Sequence, residues 1–166
     1  MPVNKGKHKF AAINWATWQP HQQATLLFVI HDGRILLIRK KRGLGSGKIT
    51  GPGGRIEPGE TISQCAKREL QEEVGMTAHE TQLCGDLWFQ FTNGFALKVY
   101  VLLCQNASGE PIETDEAFPI WYPIHTIPFE EMWEDDHLWI PWMLAGTHFS
   151  GRFLFDNESL LGHMFI

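Results

Sequence analysis

Gly54-Arg55-Ile56-Glu57-Pro58-Gly59-Glu60-Thr61-Ile62-Ser63-Gln64-Cys65-Ala66-Lys67-Arg68-Glu69-Leu70-Gln71-Glu72-Glu73-Val74-Gly75-Met76 joins a glycine-containing turn, a helix and a cluster of acids. Thr61, with Gln64 three residues on, has the pattern of a capping box, and Gly75 supplies a stop, so the spacing predicts a helix over 62–74. With Ile62 as origin, Ala66, Leu70 and Val74 each advance by about 40° and form one apolar stripe. Glu69 and Glu73 fall within about 20° of Ile62, at the edge of that stripe, and Glu72 falls about 80° outside it. Like charges at i, i+3 and i+4 repel, and two of these acids occupy the last turn, the unfavourable end of the helix dipole. A solvated acidic face offset by Arg68 is the bland alternative, but such a face would not encroach on the apolar stripe. The pattern suits a hard divalent cation, Mg²⁺ or Mn²⁺, held by carboxylate oxygens and water.

The surrounding chain has 166 residues, 43% apolar and 20% charged. One domain with an ordinary packed core follows, and a disordered tail or a mini-protein is excluded. The net charge of −5 conceals a split. Residues 1–55 hold ten of the fourteen basic side chains and a single acid, Asp32, whereas residues 56–166 hold eighteen acids and four basic residues. Such an asymmetry can bring a basic surface and an acidic cluster together at an anionic ligand and its counter-cation. Cys65, Cys84 and Cys104 are odd in number, lack C-x-x-C spacing and lie in apolar stretches. They read as small core residues in a reducing compartment. No apolar run, Leu26 to Ile30 included, is long enough to span a bilayer. Lys5, Lys7 and Lys9 precede a mildly apolar stretch with no cleavage site, so residues 1–22 are expected to be a cytoplasmic N-terminal extension of a domain over 23–166.

Asp32-Gly33 between Ala24–His31 and Arg34–Lys40 is a strong hairpin signal, and Asn93-Gly94 between Leu83–Thr92 and Phe95–Cys104 repeats it. A third hairpin is expected around Asp156-Asn157-Glu158. The basic, glycine-rich run Lys40 to Lys48 is too polar and too flexible for a regular element and reads as a loop. A second helix is expected over roughly 135–144, with Pro141 in its first turns or at a kink. Hairpins plus two helices give an α+β domain.

The quoted stretch fits GX5EX7REUXEEXGU, where U is a bulky aliphatic residue, at Gly54, Glu60, Arg68, Glu69, Leu70, Glu72, Glu73, Gly75 and Met76. Seven fixed positions coincide by chance at roughly one start point in 10⁸, so the chain is identified as resembling the Nudix (MutT-related) hydrolases. That resemblance implies a Nudix fold, an α/β/α sandwich around a mixed sheet, and hydrolysis of a nucleoside diphosphate linked to a further group. It implies that the Gly54 carbonyl and Glu69, Glu72 and Glu73 bind Mg²⁺, with Mn²⁺ able to substitute, and that Glu60 and Arg68 orient them through a salt bridge. Glu72 and Glu73 are both candidates for the base that takes a proton from water.

The likeness extends beyond this box. Lys40-Lys41-Arg42-Gly43-x-Gly-x-Gly, Asp115-Glu116, Ile127-Pro128-Phe129 and Met132-Trp133-x-Asp135-Asp136 are similar, in order, to the oxidised-purine nucleoside triphosphatases of the nucleotide-sanitation subfamily. By that resemblance Trp133 and Phe89 wall a base pocket, Asp135 and Asp136 read the purine edge, Thr25 and Lys40 line the pocket and the phosphate approach, and Glu116 lies near the metals. Thr50 stands where the subfamily has an asparagine, which removes one bidentate partner for the base, and Leu44 replaces an aromatic residue. The bland alternatives are that Trp133 is core filler, that Asp135-Asp136 cap the following helix, and that Lys40 to Arg42 form a solvated turn. The expected activity is therefore Mg²⁺-dependent cleavage of a purine nucleoside triphosphate to monophosphate and pyrophosphate by a monomeric enzyme. The competitors are a relaxed hydrolase acting on other nucleotides or the RNA 5′ end, and a nucleotide sensor that has lost catalysis. Only Lys67, Arg68, Lys98 and Arg152 are basic beyond residue 55, too few to track a nucleic-acid backbone. The intact acids argue against the sensor.

Overall fold

Two consecutive residues at positive φ, Asp32 (50°) and Gly33 (71°), close the first hairpin and match the twist of its strands, β1 (Gln22–His31) and β2 (Arg34–Lys40). The computed structural model describes residues 3–166, with side chains from Gly6 onward. The Lys5 side chain, part of the basic segment expected near the N-terminus, lies outside the described residues. The chain continues through β3 (Ile49–Thr50), β4 (Gly53–Arg55), helix α2 (Ile62–Val74), β5 (Gln82–Phe91), β6 (Ala96–Cys104), β7 (Ala117–Pro123), α3 (Asp136–Leu144), β8 (Phe149–Asp156) and β9 (Ser159–Phe165), preceded by α1 (Val3–Ala11). A single 3₁₀ turn, Phe129–Glu131, precedes α3.

The strands form one mixed sheet in the order β3-β2-β1-β6-β5-β8-β9, with β4 added to β1 and β7 to β2. The β1/β6 and β5/β8 pairs are parallel and the other pairs antiparallel. Alternation along the strands sends successive side chains to opposite faces. On one face Leu27, Val29 and Leu102 meet Ala66, Leu70 and Val74 of α2. On the other, Phe28, Leu87 and Phe153 meet Trp139, Ile140 and Met143 of α3. Helices on both faces of a mixed sheet are the expected α+β sandwich.

Three strands were not anticipated. β3 and β4 are too short to show a period, and β7 carries Pro119 and Pro123, which read as strand breakers. β7 tolerates its prolines because it pairs with β2 alone. The second hairpin also differs in detail. Only Gly94 takes positive φ (96°), and Thr92 to Phe95 form a wider loop closed by Gly94 N–H to the Phe91 carbonyl. Cys65 and Cys104 are buried as expected, whereas Cys84 is only half-buried.

The first strand begins at Gln22, and the residues before it pack on the domain. Phe10 of α1 rests on Gly162 of β9, Trp18 stacks on Trp88 of β5 at 5.0 Å, and Trp15 lies beside both tryptophans. Beneath this segment the Arg152 guanidinium lies 3.5 Å from the Trp88 ring centroid, with no carboxylate in salt-bridge range among the described residues, and burial lowers its pKa. Removing residues 1–18 would take away Phe10, Trp15 and Trp18 and bare Trp88 and Gly162 to water, while Arg152 became solvated. The loss of apolar burial dominates. We expect Tm to fall by about 5–10 °C. Thermal unfolding of the truncated protein checks this, and an unchanged Tm would show that the contacts contribute nothing.

Candidate active site

The helix α2 is capped as its sequence dictates. Thr61 accepts from Gln64 N–H at 3.1 Å, the Gln64 side chain accepts from Thr61 N–H at 2.9 Å, and Gly75 ends the helix at φ 72°. Its apolar stripe turns Glu69 and Glu73 inward, to 9% and 5% exposure, and leaves Glu72 in solvent. The solvated acidic face is thereby excluded for two of the three acids.

Arg68 ties these groups together. It donates to both oxygens of Glu60, from Nε at 2.7 Å and Nη2 at 3.0 Å, and to the Arg55 carbonyl at 3.0 Å. Its Nη1 bridges Glu69 Oε1 (2.9 Å) and Glu72 Oε2 (3.1 Å). The paired hydrogen bonds from Arg68 pull the Glu60 carboxyl down to about 2. The salt bridge expected between Glu60 and Arg68 is therefore present, as a two-point clamp.

Carboxylate oxygens of Glu69, Glu73 and Glu116 lie within 4.8 Å of one another. Burial, with Glu69 and Glu116 close by, pushes the Glu73 carboxyl up to about 8 despite a 3.2 Å hydrogen bond from Gly53 N–H and the nearby charge of Lys40. Burial also raises Glu69. Three carboxylates facing one another, two of them buried, repel as anions, and a cation among them offsets that repulsion. A Cβ at Gly54 would overlap the Glu69 carboxylate, so the backbone of β4 runs directly against the cluster. Every donor in reach is a hard oxygen, which fits Mg²⁺ or Mn²⁺. Glu72 stands apart from this triad, half-exposed and held by Arg68.

The basic loop borders the cluster. Gly43, Gly45 and Gly47 take φ of 79°, 78° and 89°, a backbone path other residues rarely follow. Lys40 Nζ donates to the Leu44 carbonyl at 2.7 Å while facing Glu73, Glu69 and Glu116, and Arg42 pairs with Glu116 at 2.6 Å.

On the α3 side a cavity of about 140 Å³ opens beside the cluster, the two sharing Lys40, Gly53, Gly54 and Glu73. Thr25, Thr50, Phe89, Trp133, Asp135 and Asp136, all named from the sequence, line it. Phe89 stacks on Phe153 at 5.3 Å, and Trp133 stands edge-on to Phe155 at 5.3 Å. Thr25 spends its hydroxyl on the Cys65 thiol at 3.3 Å. Leu44 reaches the cavity mouth and remains 47% exposed. Asp135 and Asp136 are buried, at 1% and 5% exposure, and Asp135 makes no capping bond to α3. Instead its Oδ2 accepts from Trp139 Nε1 at 2.9 Å. Burial raises both carboxyls, Asp135 to about 6 and Asp136, with Asp135 against it, well above the ordinary range. A helix cap is thus not what these residues are for.

Sequence reasoning passed over Trp139, Phe91 and Gly53. Trp139 lies four residues after Asp135 on α3, a spacing that signals contact. Gly53 carries no such mark, since its role is a backbone N–H and an approach to the Thr25 carbonyl that leaves no space for a Cβ.

The NUDIX domain family matches residues 20–143. This chain belongs to the NUDIX family, and it is a NUDIX hydrolase. It is 44% identical over 138 residues to the oxidized purine nucleoside triphosphate hydrolase of Danio rerio, covering 82% of this chain and 88% of that one. The protein of the same name from Mus musculus is 38% identical over 141 residues, covering 84% and 90%. Among solved structures, the NUDIX fold is shared with the MutT protein of Bacillus halodurans at a TM-score of 0.77 and 24% identity, over 87% of this chain and 97% of that one. A MutT NUDIX hydrolase from Burkholderia pseudomallei matches at 0.62 and 30% identity, over 67% and 88%. No helix among the described residues is long and apolar enough to cross a membrane.

Proposed function

We propose that this NUDIX hydrolase cleaves purine nucleoside triphosphates, oxidised ones such as 8-oxo-dGTP and 2-oxo-dATP foremost, to the monophosphate and pyrophosphate. One observation carries the reading: an aromatic-walled cavity ends on two buried, protonation-shifted aspartates and opens at its other side onto the glutamate cluster. The vertebrate relatives named for this substrate class support it. A purine seated between Phe89 and Trp133 presents its edge to Asp135 and Asp136. Of that pair, a protonated carboxyl donates and an ionised one accepts, so bases with altered donor patterns can be matched. Lys40 and the glycine loop face the phosphates.

Glu69, Glu73, Glu116 and the Gly54 carbonyl would hold Mg²⁺, with Mn²⁺ a substitute. A cation there neutralises charge on the phosphate chain and acidifies the attacking water. Water oxygen bonds to one of the two phosphorus atoms joined by the α,β-bridging oxygen, the bond from that phosphorus to the bridging oxygen breaks, and monophosphate and pyrophosphate separate. Of the two candidate bases, Glu72 would take the proton, a reading supported by its standing outside the triad and open to solvent. Glu60 and Arg68 fix the position of Glu69 and Glu72. Residues 1–22 form an extension to the catalytic domain. The enzyme acts as a cytoplasmic monomer without a nucleic-acid partner, in keeping with its unpaired cysteines and its sparse basic residues beyond position 55.

Product analysis with Mg²⁺ over normal and oxidised nucleoside triphosphates, and over capped and triphosphorylated RNA, tests the proposal. Oxidised purines are expected to be hydrolysed about tenfold or more faster at limiting concentration, each selective hydrogen bond contributing that order. Equal rates for 8-oxo-dGTP and dGTP, and for 2-oxo-dATP and dATP, would overturn it. Thr50→Asn adds an amide beside the base and is expected to lower KM for the oxidised purine several-fold.

A further inference from the structure

The base cavity and the glutamate cluster share Lys40, Gly53, Gly54 and Glu73. Arg42 and Glu116 line only the cluster's own cavity. A nucleotide with its base on Asp135 and Asp136 therefore directs its phosphates past Lys40 and Gly54, and the far end of the chain comes to Arg42. There the guanidinium is engaged with Glu116 at 2.6 Å, and the two side chains are 65% and 36% exposed. Exposed single ion pairs contribute little and exchange readily, unlike the two-point clamp of Arg68 on Glu60. Glu116 is also one of the three carboxylates that converge for a cation. A divalent ion attracts Glu116 more strongly than a single guanidinium does, so cation binding releases Arg42 at the place where the last phosphate lies. The planar guanidinium can then make paired hydrogen bonds to phosphate oxygens. Its neighbour Lys41 lines neither cavity and pairs with Glu113 at 2.6 Å.

We propose that Arg42 determines phosphate chain length, exchanging Glu116 for the terminal phosphate of a nucleoside triphosphate when a cation occupies the glutamate cluster. This rests on the triphosphatase reading above. A nucleoside diphosphate ends one phosphate short of Arg42 and gains nothing from it.

Arg42→Met and Arg42→Lys test the exchange. The two readouts are KM for a nucleoside triphosphate against the matching diphosphate, and calorimetric titration of Mn²⁺ into the nucleotide-free protein. Arg42→Met is expected to raise KM for the triphosphate about tenfold or more, the scale of a lost charge-assisted contact, with KM for the diphosphate unchanged. Mn²⁺ should bind the same variant several-fold more tightly, because Glu116 is no longer engaged. Arg42→Lys should restore part of the triphosphate preference. Equal changes for both substrates, no change for either, or Mn²⁺ affinity unaltered would overturn the proposal. If the parent releases pyrophosphate from triphosphates while these variants behave like it, the role of Arg42 fails and the triphosphatase reading stands. If the parent cleaves no triphosphate, the reading itself fails.

Discussion

Glu73→Gln is expected to lower kcat for nucleoside triphosphates by about three orders of magnitude, the scale of losing a group that holds or generates the nucleophile. The amide keeps the Gly53 N–H acceptor and the volume of the side chain, so the fold tolerates it. What it removes is the most deeply buried charge of the Glu69, Glu73 and Glu116 triad. The same change should stabilise the metal-free protein. With its folded pKa at about 8, above the ordinary glutamate range, Glu73 holds its proton in the folded chain where the unfolded chain has lost it. Its cost is therefore absent at pH 4, grows as pH rises, and is complete above about pH 8, where it reaches the order of a few kcal/mol. Thermal scans without metal should show the variant's Tm above the parent's at pH 9 and equal to it at pH 4. Mg²⁺ should then raise the parent's Tm and leave the variant's nearly unchanged. A variant that hydrolyses at the parent rate would remove Glu73 from the catalytic site.

The glutamate half of the candidate site was legible because helix geometry and covalent spacing fix it. Thr61, Gly75 and the apolar stripe dictate where α2 starts, stops and turns, and Glu69 and Glu73 follow from that. Glu116, by contrast, arrives from a loop 43 residues beyond Glu73, and periodicity says nothing about such closures. Only the resemblance placed it. The base pocket behaves likewise: Phe89 of β5 and Trp133, just before α3, line one cavity because Phe89 lies on the face of the sheet that α3 covers, a matter of topology rather than local pattern. The separation of Glu72 from the triad was foreshadowed by its helical angle, some 100° from its neighbour Glu73. The packing of residues 3–21 escaped sequence reasoning because α1 contains Gly6 and begins without an acidic first turn. Its partner is a glycine, Gly162, that only the folded sheet reveals.

Asp136→Asn should separate the binding role of the aspartate pair from its cost to stability. Both carboxyls are buried, and once Asp135 ionises its charge opposes ionisation of Asp136. In the unfolded chain each loses its proton in the ordinary carboxylate range; in the folded protein Asp135 waits until about pH 6, and burial with the neighbouring Asp135 charge holds Asp136 well above that range too. The folded state therefore binds more protons across that window, so stability falls as pH rises through it and is undiminished at pH 4. An asparagine cannot ionise. The variant's Tm should match the parent's near pH 4 and exceed it increasingly above pH 6. For the reaction the sign reverses. Where one carboxyl of the pair keeps its proton and the other is ionised, the parent presents a donor beside an acceptor, and it can shift the proton to suit the base. Asparagine offers a fixed amide, wider than a carboxyl and unable to exchange protons with Asp135. We expect KM for 8-oxo-dGTP or 2-oxo-dATP to rise by about one to two orders of magnitude, the cost of leaving a buried polar edge mismatched, with kcat little changed because the phosphates lie elsewhere. The parent's KM should itself rise as pH climbs past the point where Asp136 loses its proton, and the variant's KM should stay flat over that range. A pH-independent difference in Tm together with an unchanged KM would mean that the two aspartates titrate normally and do not touch the base.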